Sequence, residues 1–164
     1  MNKFDAAVLL MRTSLGVSMA LHGINKAKSL SGTASWFTSI GMKWPRQQAL
    51  LASTTEIVAG TLMAIGLFTP FTCIAVIAVM TVAIKSVHAK VGYFIFLPNG
   101  GWEYCASIIA VAASLALLGP GRWSVDHAVN FSQFIGPFAL PIGIACGLSQ
   151  LILCWRPPCT DTKA

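Results

Sequence analysis

Gln48 to His88 reads QALLASTTEIVAGTLMAIGLF, then TP, then FTCIAVIAVMTVAIKSVH, and this stretch decides the fold. Two apolar blocks, Gln48–Phe68 and Phe71–His88, each approach the roughly 20 residues a helix needs to cross hydrocarbon. Only Thr69-Pro70 separates them. Proline cannot continue a helix, so the chain must turn there. The spacing predicts two helices packed as a tight antiparallel hairpin. Before them lies a similar block, Ala6–Gly23. After them come Trp102–Leu118, closed by Gly119-Pro120-Gly121, and Phe131–Trp155. The last block carries Gly136, Pro137, Pro141, Gly143 and Gly147, which predict kinks and close helix contacts. The expected fold is an all-α membrane protein. Residues 1–127 form a four-helix transmembrane bundle, and 128–164 add a fifth transmembrane helix and a short tail.

Composition agrees. Hydrophobic residues make up 55% of the 164 and charged residues 10%, against roughly 25% charged in an ordinary soluble domain. The mean hydropathy is +0.72. So few charges cannot cover a water-exposed surface of this size, whereas lipid solvates an apolar exterior directly. The net charge of +6 is spread over the segments between apolar blocks, without a stripe or motif, which argues against nucleic acid. Arg12 interrupts the first apolar run and no clean cleavage site follows, which argues against a leader peptide.

The connections have interfacial character. The long loop Ile24–Gln47 contains a stretch, Thr33–Ile40, suited to a short helix with Trp36 and Phe37, and Trp44 suits an interface anchor. Lys90–Gly101 carries Tyr93, Phe94 and Phe96. With the N-terminal side named A, side A holds Lys3 and Arg122. Side B holds Lys26, Lys28, Lys43, Arg46, Lys85, Lys90, Arg156 and Lys163. Two basic residues against eight place side B in the cytoplasm and the N-terminus outside.

Four ionisable residues fall inside apolar blocks: Arg12, Glu56, Lys85 and Glu103. Each costs roughly 2.5 kcal/mol or more in a bilayer, so each is expected to face the bundle interior with a partner. Helical spacing gives Arg12, Gly16, Met19, Gly23 and Lys26 one face. It groups Ser53, Glu56, Gly60 and Met63; Thr81, Lys85 and His88; and Glu103, Ser107 and Ser114 in the same way. The expectation is that the four charges meet in a polar cavity opening toward side B, Arg12 reaching toward Glu56, with His22, Lys26 and His88 at the rim. These charges would serve either as structural salt bridges or as a functional pocket, and the two roles are compatible. No metal-ligand spacing occurs among the histidines and cysteines. Cys73, Cys105, Cys146, Cys154 and Cys159 read as small buried hydrophobes, although Cys154 and Cys159 bracket Trp-Arg-Pro-Pro and leave a thiol role open.

Arg12 with His22-Gly23-x-x-Lys26, Glu56-Ile-Val-Ala-Gly60 leading to Ile65-Gly66-Leu67-Phe68-Thr69, Asn99-Gly100-Gly101-Trp102-Glu103, and Gly119-Pro120-Gly121-Arg122-Trp123-Ser124-Val125-Asp126 together resemble the DoxX family of small bacterial membrane proteins. The resemblance spans about residues 5–127, and the segment from Ala128 departs from the usual four-helix pattern. It implies a four-helix membrane bundle. Some relatives are small subunits of thiosulfate:quinone oxidoreductase, and others belong to complexes that handle thiol and oxidative stress.

Two functions are weighed. The first is redox-linked: the cavity binds a quinone, with no intrinsic cofactor. Glu56 and Glu103 accept protons, Arg12 and Lys85 stabilise anionic character, and His22 and Lys26, with His88, line the mouth. The second is a non-enzymatic scaffold or accessory subunit that recruits a membrane or soluble redox partner through Ile24–Gln47 and the basic side-B surface. A transporter or channel would need a homo-oligomer, since no inverted repeat is evident.

Overall fold

The computed structural model describes residues 2–158; Cys159 and Lys163 therefore lie outside the described residues. The described chain is helical throughout, with one isolated bridge between Met42 and Trp155 and no strand. Helix α1 spans Lys3–Lys28, capped by the Asn2 side chain accepting from the Phe4 N–H at 3.1 Å. A short α2, Leu30–Ser39, follows after Ser29. The stretch expected as a long loop is thus mostly helical. Helix α3 covers Pro45–Ile65, with proline in its first turn where no N–H is needed. Helix α4 covers Thr69–Ala83 and runs on into a π turn, Ile84–His88. Helix α5 spans Glu103–Leu118, the four-residue α6 spans Val125–Ala128, and α7 spans Ala139–Cys154 after a 3-10 turn at Gly136–Phe138.

Four of these helices are long and apolar enough to cross a membrane: Lys3–Lys28, Pro45–Ile65, Thr69–His88 and Gly136–Cys154. Helix α5 has 16 residues, about 24 Å at 1.5 Å per residue, short of a core of about 30 Å. Large apolar side chains such as Leu10, Leu21, Leu117 and Ile152 stand on the exterior, where lipid replaces water as their solvent. The expected hairpin is present: α3 turns through Gly66–Phe68 into α4.

Helices α1 and α3 form the most extensive contact. A Cβ placed on Gly60 would lie 2.5 Å from the Ala20 nitrogen, and one on Gly16 would lie 2.5 Å from the Gly60 oxygen. Between helices in lipid there is no hydrophobic drive, so this backbone approach supplies the packing. Helix α4 packs on α7 and α5, and the core runs through Met19, Met63, Ile77, Ile108, Leu115 and Ala139. At side B, α7 is tied to the α2–α3 connection by Lys43 N–H to Cys154 O at 2.7 Å and Arg156 N–H to Gly41 O at 2.9 Å.

Candidate functional site

The predicted faces of α1 and α3 are buried together: Arg12, Gly16, Met19 and Gly23 on one, Ser53, Glu56, Gly60 and Met63 on the other. The four charges nevertheless do not meet. A helical side chain leans toward the N-terminus of its own helix. Helix α1 begins on side A and α3 on side B, so Arg12 and Glu56 lean apart. For the same reason Lys26 leans back into the bundle and Glu56 leans down to it. Lys26 Nζ pairs with Glu56 Oε1, and this is the one ion pair among the described residues.

Glu56 is 1% exposed, and the Lys26 side chain is 26% exposed. Glu56 Oε2 is buried and has no hydrogen-bond partner among the described residues. The two residues stand in the wall of a cavity of about 370 Å³, with His22, His88, Cys105 and Gln150 also contributing. Most of the remaining wall is apolar, including Met19, Phe37, Val79, Met80 and Ile108. The cavity therefore offers one charged, incompletely satisfied pole in an otherwise greasy enclosure. That arrangement suits a ligand with a compact polar head.

His22, Lys26 and His88, expected at the rim, all line this cavity. His22 is exposed and Lys26 reaches inward to Glu56. His88 Nδ1 donates to the Gly100 carbonyl at 2.7 Å, which leaves Nε2 as the neutral ring's acceptor. His88 is delivered to the wall by the π turn, where the Ala89 N–H reaches back to the Ile84 carbonyl at 2.7 Å. That same turn breaks the face predicted for Thr81, Lys85 and His88. Thr81 is buried, His88 lines the cavity, and Lys85 is turned outward and exposed. Extra residues in single π turns are frequent at functional sites.

Helix α5 corrects another expectation. Its Glu103–Ser107–Ser114 face points away from the core, and Cys105, Ile108, Ala112 and Leu115 are buried instead. The serines tolerate this because each hydroxyl donates to its own helix, Ser107 to Glu103 O at 3.0 Å and Ser114 to Ala110 O at 2.8 Å. Glu103 accepts from the Ile95 N–H at 3.1 Å and sits in the first turn of α5, where a carboxylate suits the helix dipole.

Arg12 belongs to a separate cluster at side A. It is 2% exposed and donates to Ala64 O at 2.6 Å and to Trp123 O. Gly66 makes room for it: φ is +70°, and a Cβ there would fall 2.8 Å from Arg12 Nη1. Beside it Asp126, also buried, accepts from the Phe68 N–H at 2.7 Å and the Thr69 N–H at 2.8 Å. Asp126 thus caps α4 and joins the segment after α5 to the α3–α4 hairpin. Asp5 accepts from the Arg122 N–H at 3.0 Å. Sequence reasoning gave no role to either aspartate. It also missed the Gln150–Gln48 hydrogen bond, 2.9 Å, which ties α7 to α3 at the cavity. Among the described residues no group of histidine, cysteine and acidic side chains is placed to hold a metal ion, and Cys73, Cys105, Cys146 and Cys154 are free thiols.

The DoxX family model matches residues 7–89, which contain most of α1, all of α2 to α4, the Lys26–Glu56 pair and the π turn. The chain belongs to the DoxX family. This DoxX protein is also 30% identical over 130 residues to a Bacillus subtilis (strain 168) protein named "Putative oxidoreductase CatD", covering 79% of this chain and 92% of that relative. No solved structure matches it.

Proposed function

We propose that this DoxX-family membrane protein is redox-associated and that its side-B cavity receives the headgroup of a quinone. The observation that carries the reading is Glu56: a buried carboxylate in the wall of a largely apolar cavity, fixed by Lys26 through one oxygen, whose other oxygen has no hydrogen-bond partner among the described residues. Burying such an atom unsatisfied costs about 1–3 kcal/mol or more. A ligand oxygen that shares a proton with Oε2 removes that cost. The name of the Bacillus subtilis relative supports the redox side.

In this reading each residue has a distinct task. Glu56 holds and moves a proton at Oε2. Lys26 fixes Oε1 and provides positive charge near the headgroup oxygen. His88 presents Nε2 as a second acceptor for the O–H of the reduced headgroup, and His22 lines the same cavity. Arg12, Glu103 and Lys85 do not line the cavity and take no part. A quinone accepts electrons. Their source would be a partner protein that oxidises thiol or thiosulfate on the cytoplasmic side, facing the exposed Lys28 and Arg46.

The test is titration of the nanodisc-reconstituted protein with decyl-tailed quinone, oxidised and reduced, read by quenching of tryptophan fluorescence, since Trp36 lines the cavity. Saturable quenching is expected. Binding of the reduced form, whose quinol O–H donates to the carboxylate, should weaken roughly tenfold or more in Glu56→Leu, the scale of one hydrogen bond to a charged group. Quenching that never saturates in the wild type, or quenching by the reduced form that Glu56→Leu leaves unchanged, refutes the reading.

A further inference from the structure

We infer that the cavity's ligand carries a long apolar tail and that this tail lies in the groove between α3 and α4 facing lipid. The inference rests on the headgroup reading above and adds the tail's path. The groove has a volume of about 580 Å³ and is walled by Thr54, Val58, Ala59, Leu62, Phe71 and Thr72, among others. It adjoins the cavity: Thr55 and Ala75 line both. Thr55 is the residue next to Glu56 in sequence, so the join lies within one helical turn of the unpaired carboxylate oxygen.

The groove is open along its length. From Thr55 to Leu62 it follows α3 for seven residues, about 10 Å at the helical rise. Phe68 and Phe71, both partly exposed, border its far end toward side A. Thr54 and Val58 are four residues apart on the outer surface of α3 and are exposed, so one edge of the groove is open to the bilayer. Its wall residues carry no charge. A chain attached to a headgroup at Glu56 thus has an uncharged, lipid-facing place to lie next to the cavity. A small soluble anion would need only the side-B mouth and would leave the groove to acyl chains.

A tail leaving lipid for this groove exchanges one apolar neighbour for another. Its gain is packing, so it is modest and sensitive to shape. Val58→Phe fills the groove from its exposed edge without touching the headgroup residues. The experiment compares wild type and Val58→Phe in nanodiscs with two quinones sharing one headgroup, one decyl-tailed and one without a tail, with thermal midpoints confirming that the variant is folded. Val58→Phe is expected to weaken the decyl quinone about tenfold, equal to 1.4 kcal/mol, and to leave the tail-less quinone unchanged. Membrane partitioning favours the tailed compound equally in both proteins and so cancels in the comparison. If Val58→Phe binds the decyl quinone as wild type does, the groove belongs to lipid and this inference falls while the headgroup reading stands. If neither quinone binds wild type, both fall.

Discussion

Replacing Lys26 with methionine keeps the stem of the side chain and removes its charge. Glu56 is then a carboxylate with 1% of its side chain exposed and no other cation within 4 Å among the described residues. Removing one partner of a buried pair costs about 3–5 kcal/mol, because the remaining charge is stranded. Lys26 is itself 26% exposed, so part of the interaction is already screened, and the low end, about 3 kcal/mol, is expected. For a chain of this length that corresponds to roughly 6–12 °C in thermal midpoint. Glu56→Gln should cost much less, under about 1 kcal/mol, because the flexible lysine stem can carry its charge out to side-B water. The double variant Lys26→Met/Glu56→Leu should recover most of the loss, since a well-packed apolar pair can replace a buried ion pair. The assay is thermal unfolding of the four proteins in one detergent. A Lys26→Met midpoint within 1 °C of wild type, or a double variant as unstable as the single, would show that Glu56 is not a buried, lysine-compensated charge.

Three further outcomes follow from the geometry. Gly60→Ala places a Cβ 2.5 Å from the Ala20 nitrogen, so α1 and α3 must part by nearly an ångström, and thermal unfolding should show a loss of about 1–3 kcal/mol. Asp126→Ala leaves the Phe68 and Thr69 N–H groups without their acceptor and should cost about 2 kcal/mol, whereas Asp126→Asn, which keeps one acceptor oxygen, should cost about half as much in the same scan. A green fluorescent protein fused after Ala164 should fluoresce in bacterial cells while an N-terminal fusion to exported alkaline phosphatase should be active, because the basic residues gather on side B; the reverse pattern would invert the orientation.

Much of this arrangement is legible in the sequence because helices in lipid obey simple spacing rules. The faces that join α1 to α3 follow from glycines and serines at three- and four-residue intervals, and the α3–α4 hairpin follows from Thr69-Pro70. What misleads is direction. Spacing places Arg12 and Glu56 on facing surfaces but does not say that their side chains lean toward opposite membrane faces, and it is this lean that separates them and joins Glu56 to Lys26. A π turn is equally hidden, so the outward turn of Lys85 and the inward turn of His88 could not be read from a 3.6-residue period. The serines of α5 look like a polar seam but satisfy themselves on their own backbone. Asp126 was legible as part of a motif and not as a cap, because its partners, Phe68 and Thr69, are 58 and 57 residues away. Gln48 and Gln150, 102 residues apart, carry no local signal at all.

Photolabelling asks whether a quinone headgroup occupies the side-B cavity beside Glu56, as proposed. A quinone bearing an azide on its ring, irradiated with the nanodisc-reconstituted protein, should label cavity residues such as Met19, Met80, Tyr104 and Ile108, and excess unlabelled decyl quinone should suppress those adducts. Adducts confined to outward positions such as Leu10, Leu117 and Ile152, or insensitive to the competitor, would contradict it.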